Sequence, residues 1–140
     1  MGCDSCSNEA KIEWRDCVAN VEHMAAGNPH FRVAVWTGHY LQMTLMYIPP
    51  CGNIGVEMHP ETDQMIRIEQ GKAVVQMGRC KGKWEFQHQL VKGDVVFIPA
   101  GTWHNILNAA KVPLRVSSTY APPNHPSGTL QHTKADAEEY

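Results

Sequence analysis

The chain has no basic cluster, no long apolar run and little charge of either sign. Its 140 residues carry 12 Lys and Arg against 14 Asp and Glu, a formal net charge of -2. A surface built to track phosphates needs a basic stripe, so neither nucleic acid nor an anionic membrane is an expected partner. No hydrophobic stretch approaches the roughly 18–20 residues that span a bilayer. The opening MGCDSCSNEAKIEWRD is polar and acidic, unlike an export signal or a basic transit peptide, so the cytoplasm is the expected compartment. Cysteine is sparse and odd in number: Cys3, Cys6, Cys17, Cys51 and Cys80 read as reduced thiols rather than a disulfide framework. Cys3 and Cys6 form a CxxC, but the second tight pair of a structural zinc site is missing, and a solvated terminus is the expectation there. Internal repeats, low-complexity linkers and alternating strand–helix units are missing too. That points to one domain without a parallel sheet.

What is present is a succession of short β-type runs. FRVAVWTG, LQMTLMYIPP, QMIRIEQG, KAVVQMG, WEFQHQLVKG, DVVFIPAG, HNILNAA and LRVSSTYAPP are rich in β-branched, aromatic and apolar residues, each bounded by Gly, Pro, Asn or Lys-Gly. Seven or eight strands at such spacing predict an all-β antiparallel sandwich or barrel. Ahead of them, Val18, Val21, His23, Met24 and Ala25 suggest a short helix that Gly27 and Pro29 end. The expected organisation is an N-terminal segment over 1–30, a barrel over 31–122, and a C-terminal tail over 123–140. That tail packs over the barrel and ends in a short acidic helix.

Between the second and third runs stands GVEMHPETDQMIRIEQG, Gly55 to Gly71, which collects Glu57, His59 and Gln64. Extended backbone alternates faces with a period of two, so Glu57 and His59 point the same way. HPETD is a turn, after which Gln64, Ile66 and Ile68 share one strand face while Met65, Arg67 and Glu69 share the other. Burying Arg67 and Glu69 unpaired would cost several kcal/mol, so the Gln64 face is expected inside. A lone Glu on such a strand is usually solvated and a lone His usually an ordinary core or surface group. The joint spacing, with a second segment, is what points to a metal site.

That second segment is GDVVFIPAGTWHNILN, Gly93 to Asn108. Gly93, Pro99, Gly101, His104 and Asn108 fall at the spacing of the second motif of the cupin superfamily, which this stretch resembles. The first motif of that family reads Gly, five residues, His-x-His, three or four residues, Glu, six residues, Gly. Here His59 takes the second histidine's place and Gly71 closes the motif, while Cys51 stands for the opening glycine, Glu57 for the first histidine and Gln64 for the glutamate. The resemblance covers about Leu41 to Tyr120 and implies a double-stranded β-helix, or jelly-roll. It also implies one divalent transition metal per chain (Mn, Fe, Ni, Co or Zn) held by Glu57, His59, Gln64 and His104. Glu57 and Gln64 compensate each other, since one carboxylate is kept and merely moves from the return strand to the outgoing one. Gln64 is the weakest donor and either ligates directly or hydrogen-bonds a water on the ion.

Such a set leaves two adjacent positions on a six-coordinate ion for a small oxygen-rich substrate, with isomerase, lyase or dioxygenase chemistry in prospect. The rival expectation is a non-catalytic metal- or small-molecule-binding cupin for storage or sensing. Arg67 is expected outward, and the pattern does not place Arg32, Arg79 or Arg115, which argues against a phosphorylated substrate. Candidate acid–base groups are His39, Tyr40, His88 and His125. His125 stands out as catalytic because YAPPNHP leaves the last strand on a proline-stiffened path that can cap a pocket mouth. Trp103, beside His104, walls the pocket or packs elsewhere. Cupin barrels commonly pair, so a homodimer is expected by resemblance, with Trp14 and Trp36 near its interface.

Overall fold

The computed structural model describes residues 14–138. Cys3 and Cys6 lie outside the described residues; Cys17, Cys51 and Cys80 are free thiols. After a short 3-10 turn at Trp14–Cys17 comes helix α1 (Val21–Ala26). Asn20 caps it by accepting a hydrogen bond from the His23 amide at 2.9 Å, and Gly27 ends it. Eight strands follow: β1 (Arg32–Thr37), β2 (Gln42–Ile48), β3 (Asp63–Gln70), β4 (Lys72–Gly78), β5 (Phe86–Val91), β6 (Val95–Ile98), β7 (Trp103–Asn108) and β8 (Leu114–Ala121). Each corresponds to one of the eight runs read from the sequence. A ninth, β9 (Leu130–Gln131), and helix α2 (Lys134–Glu138) lie in the tail. Two residues between loops carry no periodicity, so β9 left no signal in the sequence.

The strands form a six-stranded antiparallel sheet, ordered β6-β3-β8-β2-β1-β9, facing a three-stranded one, β5-β4-β7. This is the all-β jelly-roll. Its interior divides into two zones. At one end Ile48, Ile66, Ile68, Val75, Ile106, Leu114 and Val116 are almost fully buried and form the apolar core. Removing such a side chain from water stabilises by about 1.5–3 kcal/mol. At the other end the inward positions are polar: Arg32, Gln42, Thr44, Gln64, Ser118 and Tyr120, all under 5% exposed.

The inward phase expected for β3 is the observed one, with Gln64, Ile66 and Ile68 buried. Its outer face differs from expectation at Glu69, which is 3% exposed rather than solvated. Packing of α1 against β3 and β8 covers that face, and Glu69 is compensated there by the Ser117 hydroxyl at 2.9 Å and Arg67 at 3.6 Å. Arg115, also on the outer face, donates to the Ala25 and Asn28 carbonyls at the end of α1 and stacks on Tyr47. It is thereby drawn away from the barrel interior.

Two turn residues support the pattern read at the motif ends. Cys51 adopts φ +64, the left-handed region that glycine favours, which accounts for a glycine being usual at that motif position. Gly71 has φ +95, and a Cβ there would meet the Pro113 carbonyl oxygen at 2.8 Å. Trp14 and Trp36 are exposed, 74% and 42%. Among the described residues no helix is long and apolar enough to cross a membrane.

Candidate metal centre

Residues 52–60 do not form a regular strand. They run extended along β7 and pair with it at isolated bridges, Asn53 with Leu107 and Glu57 with His104. The Glu57–His104 pair exchanges both backbone hydrogen bonds at 2.9 Å, and Gly101 donates to the His59 carbonyl at 2.8 Å. Residues facing each other in such a pair put their side chains on the same side. That is why a carboxylate and an imidazole 47 positions apart meet, and why His59, two residues after Glu57, joins them.

One ligand atom each from Glu57, His59 and His104 lies within 4.8 Å of the others. Glu57 Oε2 is 3.4 Å from His59 Nε2 and 3.9 Å from His104 Nε2. Two donors bound at about 2.1 Å to one ion stand roughly 3 Å apart when at right angles and farther at wider angles, so these spacings suit a shared cation. All three atoms are buried without a hydrogen-bond partner, as is Gln64 Oε1. Buried polar atoms are rarely left so, and the mutual closeness of the Glu57, His59 and His104 atoms calls for a common electrophile. His104 Nδ1 sits 2.9 Å from the Thr102 carbonyl, which keeps that nitrogen protonated and the Nε2 lone pair free. The donors fit a divalent cation.

Burial pushes the Glu57 carboxyl upward, but the His59 imidazole 3.4 Å away and the Arg32 charge outweigh it and hold Glu57 below its ordinary value. It is therefore ionised at neutral pH. Burial lowers His104 and keeps it in the neutral, ligating form. Gln64 shares this end of the barrel through Tyr120, its cross-strand partner, whose ring lies 5.7 Å from that of His59. Its Nε2 donates to Ser118 Oγ at 2.7 Å, which turns the amide oxygen away from that hydroxyl and leaves it free.

A cleft of about 910 Å³ opens beside Glu57, walled by Arg32, Asn124, His125, Gln131 and Lys134. His125 stands at this mouth with its ring 5.3 Å from that of Tyr120. Burial and the nearby Arg32 push His125 down to about 4, so it is neutral above that pH. Burial raises the Tyr120 phenol, against the pull of Arg32 and of the Ser118 and Thr44 hydroxyls, so it keeps its proton. The other three acid–base candidates are not in the cleft: His39 and Tyr40 share the exposed turn between β1 and β2, and His88 lies exposed on β5 beside Phe86. Trp103 packs under Lys81 and does not line the cleft either. Asn108 ties backbone together, donating to Ile48 and Val112 carbonyls and accepting from the Ala110 amide.

Two residues of this end escaped the sequence reading. Arg32 is 3% exposed and its Nη2 reaches Glu57 Oε1 at 3.2 Å. The signal was an arginine in the strand phase of Ala34, within an otherwise apolar run. Tyr120 follows Leu114, Val116 and Ser118 on the inward phase of β8, and that alternation was visible in LRVSSTYA.

The chain is 47% identical over 120 residues to the Bacillus subtilis protein YrkC, covering 86% of this chain and 64% of YrkC, so it spans about two thirds of that relative's length. It is 38% identical over 114 residues to protein L612 of Acanthamoeba polyphaga mimivirus, covering 81% of this chain and 69% of L612. The crystal structure of BH2720 from Bacillus halodurans superposes with a TM-score of 0.86 at 46% identity, covering 88% of this chain and 93% of that one. At 20% identity the fold alone is shared with Bacillus subtilis oxalate decarboxylase OxdC, TM-score 0.56, over 62% of this chain and 23% of that one. The same holds for a cupin-superfamily sugar phosphate isomerase from Silicibacter pomeroyi, TM-score 0.52, over 60% and 52%. The cupin domain model matches residues 44–120, more than half of the chain and the stretch that holds both motif segments. With the jelly-roll, the paired motif segments and this match in agreement, the chain belongs to the cupin family.

Proposed function

We propose that the protein is a mononuclear metalloenzyme that binds one divalent transition metal per chain and acts on a small oxygen-rich metabolite. The observation that carries this reading is the group of three buried, unpartnered donor atoms, Glu57 Oε2, His59 Nε2 and His104 Nε2, gathered within 4.8 Å of one another, with Glu57 lining an open cleft. Glu57, His59 and His104 hold the ion, and Gln64 completes the set directly or through a water. A divalent cation there supplies Lewis-acid polarisation of a bound oxygen. Two nitrogens and two oxygens without a thiolate suit Mn, Fe, Ni, Co or Zn in the divalent state.

The remaining chemistry belongs to the chain's own groups. His125 is neutral above about pH 4 and faces the cleft, which suits it to accept a proton from substrate. Tyr120, which keeps its own proton, packs edge-on between the rings of His59 and His125 and so fixes how the two imidazoles stand relative to each other. Isomerase, lyase and dioxygenase chemistry all fit this arrangement, and related folds include both an isomerase and a decarboxylase. Arg32, which the sequence pattern left unplaced, supplies the cleft with a basic group.

Protein purified anaerobically without chelator is expected to carry one equivalent of a divalent metal by elemental analysis, and an NMR screen of oxygenated acids, sugars and dicarbonyls to reveal turnover. Stoichiometric metal with no turnover across that screen would favour the non-catalytic reading. Once a substrate is in hand, His125→Ala is expected to lower kcat by about 100-fold or more, the usual worth of a positioned acid–base group, with metal content unchanged. Loss of metal in parallel would make His125 a ligand or a structural residue instead.

A further inference from the structure

Arg32 is the feature of the cleft that the metal reading does not use. A guanidinium offers five N–H donors. Here Nη1 donates to Gln131 Oε1 at 2.7 Å and Nη2 to Glu57 Oε1 at 3.2 Å, with Met46 Sδ a loose third neighbour at 3.9 Å. Nε is buried with no partner at all. Arginine is almost never enclosed to this degree without its donors filled. Gln131, which anchors Nη1, belongs to β9, so the C-terminal tail holds the guanidinium at the cleft wall.

The charges point the same way. The cleft is lined by two full cations, Arg32 and Lys134, against one carboxylate, Glu57. Lys134 Nζ stands at the rim, 3.1 Å from Asn53 Oδ1. Glu57 divides its two oxygens, Oε1 toward Arg32 and Oε2 toward the histidines. Its negative charge is thus already shared, and a dication between the histidines leaves the cleft strongly positive. No Trp, Tyr or Phe lines the cleft among the described residues, so the flat platform on which neutral sugar rings stack is lacking.

We propose that the cleft binds a small organic acid, its carboxylate received by Arg32 and an oxygen on the neighbouring carbon directed at Glu57, His59 and His104. This names the substrate class for the site and rests on the metal reading given above. A carboxylate is planar, singly charged and matched to the edge of a guanidinium. Arg32 is then a binding residue that touches substrate, and its bond to Glu57 sets the spacing between carboxylate and ion.

The test uses glycolate, ethylene glycol and inorganic phosphate as probes on the metal-loaded protein, with binding read by calorimetry and metal by elemental analysis. Glycolate is expected to bind at least about tenfold more tightly than ethylene glycol, and more tightly than phosphate. Arg32→Gln is expected to weaken glycolate by about 10- to 100-fold while metal content is kept, since removing a cation beside Glu57 does not weaken its hold on a dication. Arg32→Lys keeps the charge and is the second variant should the glutamine form fold poorly. Lacking the Nε–H, it is expected to lose about tenfold. Equal binding of glycolate and ethylene glycol, or full glycolate affinity in both variants, overturns the assignment. Tighter binding of phosphate replaces the carboxylate by a phosphate ester. If elemental analysis finds no metal, the metalloenzyme reading fails by itself. The Arg32 assignment is then decided on metal-free protein, where glycolate must still shift the resonances of cleft residues in the parent and not in Arg32→Gln.

Discussion

Glu57→Gln is expected to cost the protein its metal and a large part of its stability at once. The carboxylate is the single anionic donor of the triad, and it also pairs with the buried guanidinium of Arg32. The amide that replaces it is a neutral, weak donor to a cation and leaves the Arg32 charge without an anion. Loss of a hydrogen-bond partner behind a metal ligand costs about 10–100-fold in affinity, and loss of the charged ligand itself should exceed that. Removing one member of a buried ion pair costs about 3–5 kcal/mol; Glu57 retains 23% exposure, so about 2–4 kcal/mol is the expectation here. The parent should gain about 4 kcal/mol on adding metal at a thousand times its Kd, and the variant almost nothing. Thermal melts with and without added Mn or Zn read both effects. A variant that melts like the parent and gains as much from metal would remove Glu57 from the site.

Most of the fold was legible because jelly-roll strands are short, alternate in polarity and end in residues with firm turn chemistry. All eight runs became strands, since nothing in Gly- and Pro-bounded segments of that length favours helix. Ile66 and Ile68 set the phase of β3 and carried Gln64 inward with them. Glu69 was misjudged because its burial comes from α1, an element remote in sequence, and from Ser117, which supplies its partner. β9 was invisible because two residues hold no period, and its pairing with β1 depends on the tail folding back.

The site was legible where ligands share local spacing. Glu57 and His59 stand two apart on extended chain, and His104 sits in a stretch with five motif positions. Arg32 could not be assigned by such reasoning. It comes from β1, outside both motif segments, and is held by Gln131 at a separation of 99 residues. His125, by contrast, was singled out by the proline-stiffened YAPPNHP that leaves β8, and the path of that segment puts it rather than His39, Tyr40 or His88 at the cleft.

That path depends on Gln42, whose replacement by leucine is expected to have the second large effect. Gln42 is fully buried at the start of β2 and directly opposite Tyr120. Its Oε1 accepts from the Asn124 amide at 3.1 Å and the His125 amide at 3.0 Å; its Nε2 donates to the His125 carbonyl at 2.8 Å and Thr37 Oγ1 at 3.0 Å. One side chain thus does for this strap what a neighbouring strand would do, and it fixes the backbone that carries His125. Leucine fills a similar volume but leaves two amides and a carbonyl without partners. At about 1 kcal/mol each after partial rescue by water, the expected loss is about 3 kcal/mol, on the order of 10 °C in Tm. The triad lies on other elements, so metal content should hold, whereas amide exchange at Asn124 and His125 should quicken and substrate turnover fall with His125 no longer held against Tyr120. Unchanged exchange at those two amides would mean that the strap is held by something other than Gln42.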